Sequence, residues 1–180
     1  MPVMVALVAV VLCVTTPAAT VWPPAHSPVI TDADGYVDIP HAALSPGKAQ
    51  TYRAIFDATR AAGKPTELVP ALNMVGSEIN ALAVSGVSLD RARFAVVFHG
   101  AAMDGILDDA HYKAKFGVSN PNLKALAQLK KAGVEMFVCG QNLAADNIEP
   151  TTLAPEVQVA SDALIVLIAY QNRGYALLTF

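Results

Sequence analysis

The chain reads as an α/β domain, a three-layer fold with about five mostly parallel strands and helices on both faces of the sheet. Three observations predict it. The runs Phe94–Phe98 and Val134–Cys139 are largely apolar, as strands are when both sheet faces are covered. Between such runs, apolar residues recur at steps of three and four, the spacing of an amphipathic helix. Gly, Pro and Asn punctuate the changes from one texture to the other. Strands separated by helices of this length join through right-handed crossovers, which make neighbouring strands parallel.

Taken in order, residues 1–31 carry no charged side chain, and Val3–Val14 form an apolar run of signal-peptide length. Small residues follow through Ala18-Ala19, so residues 1–19 are expected to be a leader removed on export. The run is short of the roughly 20 apolar residues a membrane span needs, and a membrane role is expected only if it stays uncleaved. Residues 20–47 hold Pro23, Pro24, Pro28, Pro40 and Pro46 and read as an extended lead-in across the domain surface. Within it Tyr36–Ile39 has the composition of a short edge strand. The domain proper is expected over residues 48–180.

Tyr52–Ala58 reads as the first strand. A helix over Glu67–Ser85 follows, with Leu68, Leu72, Val75, Ile79 and Leu82 on one stripe and Gly86 as its stop. Pro70 fits in its first turn. Phe94–Phe98 is the second strand, closed by His99-Gly100. Residues 101–119 read as a loop with a short helical piece. Asn120-Pro121 reads as an N-cap with proline after it, opening a helix to Ala132 that Gly133 ends. The third strand ends at Cys139, and Asn142 is placed to cap a short turn behind it. A short fourth strand is expected over Val157–Ala160 and a final one over Tyr175–Phe180. Between them, Ala163–Tyr170 is apolar all round. As a helix it has no polar side for water, so one side meets the sheet and the other a partner.

Composition narrows the function. With 180 residues there is one domain with a real core. A net charge of −3 and a pI of about 5.7, with no Lys/Arg stripe, exclude a nucleic-acid binder. The chain has two cysteines, and Cys13 falls in the expected leader, which leaves Cys139 as a lone thiol. In an exported protein a leftover cysteine points to intermolecular pairing or a reactive thiol, although a buried cysteine also serves as a small hydrophobe.

His99-Gly100 and Cys139-Gly140 end two strands expected to be neighbours. Their carboxyl ends lie on the sheet edge where ligands bind in open α/β folds. Imidazole and thiol would then share a crevice, with His99 favouring the reactive thiolate. Gly140 would let a substrate approach the backbone, and Gly100, Gln141 and Asn142 would line the site. No acid at Asp104 or Asp108 is placed behind His99. No G-x-S-x-G, G-x-G-x-x-G or Walker lysine is present, and His99, Cys139 and His111 lack zinc-motif spacing, so no cofactor or metal is expected.

Five segments together resemble the DsrE/DsrF-like family, particularly its exported single-domain members, over roughly residues 35–180. They are Phe56-Asp57-Ala58-Thr59, Val96-Val97-Phe98-His99-Gly100, Asn120-Pro121-Asn122-Leu123, Val138-Cys139-Gly140-Gln141 and Arg173-Gly174-Tyr175. The resemblance implies a compact domain with a five-stranded sheet, often assembled as trimers or hexamers. It also implies chemistry in which some members carry sulfur as a persulfide on a cysteine. The expected function is therefore a sulfur-relay-like thiol protein of the periplasm or cell exterior. It would carry a persulfide or mixed disulfide on Cys139 and exchange it with sulfur donor and acceptor proteins. The alternative is a non-catalytic homo-oligomeric module that binds a small ligand, with Cys139 as packing.

Overall fold

The structure, a computed structural model, describes residues 21–180. The expected leader and Cys13 lie outside the described residues. Five strands form a single sheet: β1 (Tyr52–Ala58), β2 (Ala92–Phe98), β3 (Glu135–Cys139), β4 (Gln158–Ala160) and β5 (Ala176–Thr179). Their order across the sheet is β4-β3-β2-β1-β5, and every pairing is parallel. The helices are α1 (Pro70–Val84), α2 (Asp109–Phe116), α3 (Leu123–Lys131), α4 (Gly140–Ala145) and α5 (Ala163–Asn172).

The chain steps from β1 to β4 in one direction across the sheet. The helices on that path pack on one face, where Leu72, Val75 and Ile79 of α1, Leu126 and Leu129 of α3 and Leu143 of α4 join one core. Phe56, Phe94, Val96, Phe98, Met136 and Val138 meet them from the sheet, with Phe56 and Phe94 edge to face at 5.4 Å between ring centroids. Then α5 carries the chain back over the opposite face, touching β1, β2 and β3, and sets β5 beside β1. A smaller core of Ile55, Ala95, Val97, Cys139, Ala163, Leu167 and Tyr170 fills that side. Successive strand residues point to opposite faces, so β1, β2 and β3 are each divided between the two cores.

Several boundaries move from the expected ones, for local reasons. The first helix opens at Pro70, three residues later than expected. The residue before a proline avoids the helical region, and Val69 is extended (φ −54°, ψ 132°) with its N–H held by Asn122 Oδ1 at 2.8 Å. Asn120 does not cap the next helix. It is buried, its amide donates to the carbonyls of Gly105 and Leu107, and α3 starts after Asn122. Residues 100–106 form a 3₁₀ segment, and α2 follows with Asp108 as its N-cap, accepting from the N–H of His111. Asn142 caps nothing, because it lies inside α4.

The lead-in is more deeply engaged than a surface strap. Ile30 is fully buried between α1 and the rest of the core. The buried Asn80 of α1 accepts from the N–H groups of Val29 and Ile30 and donates to the Ile30 carbonyl. Asn73 bonds Asp34 through both backbone and side chain. Gly76 permits this closeness, since a Cβ there would lie 2.4 Å from the Cβ of Ala33. The expected edge strand at 36–39 does not form. Tyr36 makes a single antiparallel bridge to His26, because the lead-in folds over α1 rather than along a sheet edge.

Candidate functional site

Three side chains with chemistry converge on one face at the carboxyl edge of the sheet. Phe98 pairs with Val138 and Ala58 with Phe98, so His99 and Cys139 are level on neighbouring strands. By the alternation of strand residues, both point to the α5 side, along with Phe137, Val97 and Ile55. Asp57 follows Ile55 by two and points the same way. It is paired with Val97, about 7 Å below the level of His99 at the usual rise per residue.

His99 nevertheless reaches Asp57. Its Nε2 lies 2.6 Å from Asp57 Oδ1, and the two side chains are 24% and 14% exposed. The imidazole therefore leans back along β2 and sideways over β1. The sheet order β3-β2-β1 puts that lean away from Cys139, and no hydrogen bond joins His99 to Cys139 among the described residues. The expected shared crevice is in fact divided: an acid–imidazole pair open to water on one side, a covered thiol on the other. The acid behind His99 comes from neither Asp104 nor Asp108, which bond Lys115 and His111, but from β1.

Cys139 ends β3 and stands as the N-cap residue of α4. It is 4% exposed, so the thiol expected in a crevice at the sheet edge is covered. Its Sγ accepts the N–H of Ala163, the first residue of α5, at 3.3 Å. What covers the sulfur is thus the start of the helix that returns over this face. Tyr170, further along α5, closes the same small core, and burial, helped by a hydrogen bond to Glu135, raises its phenol above the usual range.

The other candidate residues are tied into the frame. The Gly100 N–H donates to Asn142 Oδ1 at 3.3 Å, joining the end of β2 to α4. Gln141 Nε2 donates to the Ser161 carbonyl at 3.1 Å. The space beside Gly140 is taken by backbone, since a Cβ there would lie 2.7 Å from the Ala160 oxygen. Gly140 therefore admits β4 rather than a ligand. Among the described residues no group of three or more His, Cys, Asp or Glu side chains is placed to hold a metal.

Asp57 is the site residue that reading by strand and motif passed over. Its signal was present in the alternation: Ile55–Asp57, Val97–His99 and Phe137–Cys139 each carry an apolar residue followed two places later by a chemical one.

A five-stranded parallel sheet with helices on both faces, bearing a thiol at a strand's carboxyl end, defines an α/β protein of the open-sheet class. The model of the DsrE/DsrF-like family matches residues 45–180, and the chain belongs to that family, which is generally linked to sulfur relay. Two solved structures share the fold. One is the protein of unknown function MTH1491 from Methanobacterium thermoautotrophicum, at 18% identity and a TM-score of 0.55, covering 72% of this chain and 99% of that one. The other is the ychN protein from E. coli, at 16% identity and a TM-score of 0.53, covering 72% of this chain and 100% of that one. No curated protein matches the chain.

Proposed function

We propose that this protein carries sulfur on Cys139, as a persulfide or mixed disulfide, between a donor and an acceptor protein. The observation that carries the reading is the descent of Cys139, His99 and Asp57 from three adjacent parallel strands onto one face, with acid and imidazole already bonded at 2.6 Å. A nucleophile, a base and a group orienting the base are the three parts that thiol chemistry uses. With Nε2 engaged by Asp57, Nδ1 is the nitrogen left to take the thiol proton, and because the ring leans away from Cys139 the transfer would pass through a bridging water.

The transfer is redox-neutral. The Cys139 thiolate attacks the outer sulfur of a donor persulfide R–S–SH; the new S–S bond forms, the donor S–S bond breaks, and R–S⁻ leaves and is protonated. An acceptor thiolate then attacks the outer sulfur of Cys139–S–SH and releases Cys139 as thiolate. Export belongs to the same proposal, with residues 1–19 absent from protein recovered from its host.

The test is peptide-resolved mass spectrometry after incubation with cysteine persulfide. The expected result is a gain of one sulfur atom on the peptide bearing Cys139, absent in Cys139→Ala and slower in His99→Ala. A wild-type protein that gains no sulfur at Cys139 overturns the reading.

One observation favours a second reading. Cys139 is buried among Ile55, Ala95, Val97, Leu167 and Tyr170, as a packing residue would be, while Leu164, Ile165 and Ile168 of α5 are 61%, 58% and 53% exposed. On this reading the domain is a homo-oligomeric module, a trimer or hexamer built on α5, and Cys139→Ala changes its stability and not its function.

A further inference from the structure

We infer that the turn Ser161–Ala163 is a gate over the Cys139 sulfur and that Gln141 is its latch, a positioning residue for sulfur transfer. The inference rests on the sulfur-carrying reading and explains how a covered thiol can react. Cys139 is 4% exposed, and the group against its sulfur is the Ala163 N–H at 3.3 Å. An additional sulfur atom on Cys139 needs the volume that this turn occupies, so loading requires the turn to move.

The turn is held on the sheet side by the last β3–β4 pairing, Cys139 with Ala160, and by the buried Ala163, and on the solvent side by one side chain. It leaves β4, an edge strand of three residues paired only with β3. Gln141, exposed on α4, donates to the Ser161 carbonyl at 3.1 Å from outside the core. Downstream, Asp162 caps α5 by accepting from the N–H groups of Leu164 and Ile165, at 2.7 and 3.2 Å, so the turn and the start of the helix move as a unit. Because Gln141 is two residues from Cys139 in the chain, the latch is anchored to the same strand end as the nucleophile. Opening breaks the amide–carbonyl bond and the N–H···S contact, draws Ala163 out of the small core, and leaves the α1 face untouched.

The experiment alkylates the full-length wild type and Gln141→Leu with iodoacetamide, read at the Cys139 peptide, and follows amide hydrogen exchange in the same proteins. Loss of one hydrogen bond at a solvent-facing site is expected to speed Cys139 alkylation about fivefold. Exchange at Ala163 should rise by the same factor, with amides in α1 unchanged. Equal alkylation rates in the two proteins overturn the gate, and so does an equal rise in α1, which would mark global loosening. No sulfur donor enters the assay, so the two readings fail separately. Faster alkylation in a protein that never gains sulfur removes the carrier and keeps the gate. Sulfur loading with alkylation indifferent to Gln141 removes the gate and keeps the carrier.

Discussion

The two faces of the sheet are built to different standards. On the α1 side, four helices and the lead-in close over a large aromatic and aliphatic core, and buried asparagines tie the pieces together. Asn80 holds the lead-in, Asn122 holds the residue before α1, and Asn120 holds the carbonyls before α2. On the α5 side a single helix covers a small core, and its own outer surface is apolar and exposed. The lesson is that burial is concentrated on one face, while the face left thin carries the thiol, the acid–imidazole pair and the exposed apolar side of α5. Segments with few buried contacts are where proteins open locally, and Cys139 lies under one.

The contrast can be broken by mutation. Phe56→Ala, in the closed face, is expected to cost about 3–5 kcal/mol in urea unfolding. Leu167→Ala, its counterpart under α5, should fall near the low end of about 2–5 kcal/mol, because a helix exposed on its far side can settle into the space. Equal costs would erase the distinction between the faces. Asn80→Ala strands the backbone groups of Val29 and Ile30 and should cost about 1–3 kcal/mol. Limited proteolysis should then cut first within residues 27–36.

On the thin face the readouts change from stability to chemistry and association. Asp57→Asn removes the charge that orients His99, and sulfur loading at Cys139 should slow about tenfold or more, with urea stability nearly unchanged. A loading rate equal to wild type would detach the acid–imidazole pair from the thiol. Ile165→Asp with Ile168→Asp should alter monomer stability by only about 0.5 kcal/mol. If α5 builds an oligomer, sedimentation velocity will show the pair of changes converting it to monomer.

The smallest effect expected is at Glu78, on α1 beside a cavity lined by Tyr52, Leu82 and Phe94. Burial raises its carboxyl pKa. A carboxyl raised on folding binds its proton more tightly in the native state, so the group costs stability at neutral pH and that cost disappears as pH falls below its unfolded value, about 4.3. Glu78→Gln should therefore raise Tm slightly at pH 7 and not at all near pH 3. A gain that persists in acid would assign the effect to packing.

Much of this was legible in the residues because it is local. The apolar stripe Leu72, Val75, Ile79, Leu82 needs only the helical period, and all four are buried. The strand cores at Tyr52–Ala58 and Phe94–Phe98 needed only composition and Gly or Pro boundaries. The errors arose where a side chain answered to a distant one. Asn120 looks like a helix cap beside Pro121, yet its amide serves carbonyls of the preceding loop. His99 looks like a partner for Cys139 because both end strands, yet its ring is claimed by Asp57, 42 residues earlier.

The sequence by itself determined the five strands of the sheet, the centres of α1 and α3, the family and the placement of His99 and Cys139 on one edge, because periodicity and strand-end position are properties of short segments. Only the tertiary structure decided which acid stands behind the imidazole and that the thiol is covered. Both depend on the order of strands and on α5 returning across the sheet, contacts between residues that no local pattern brings together.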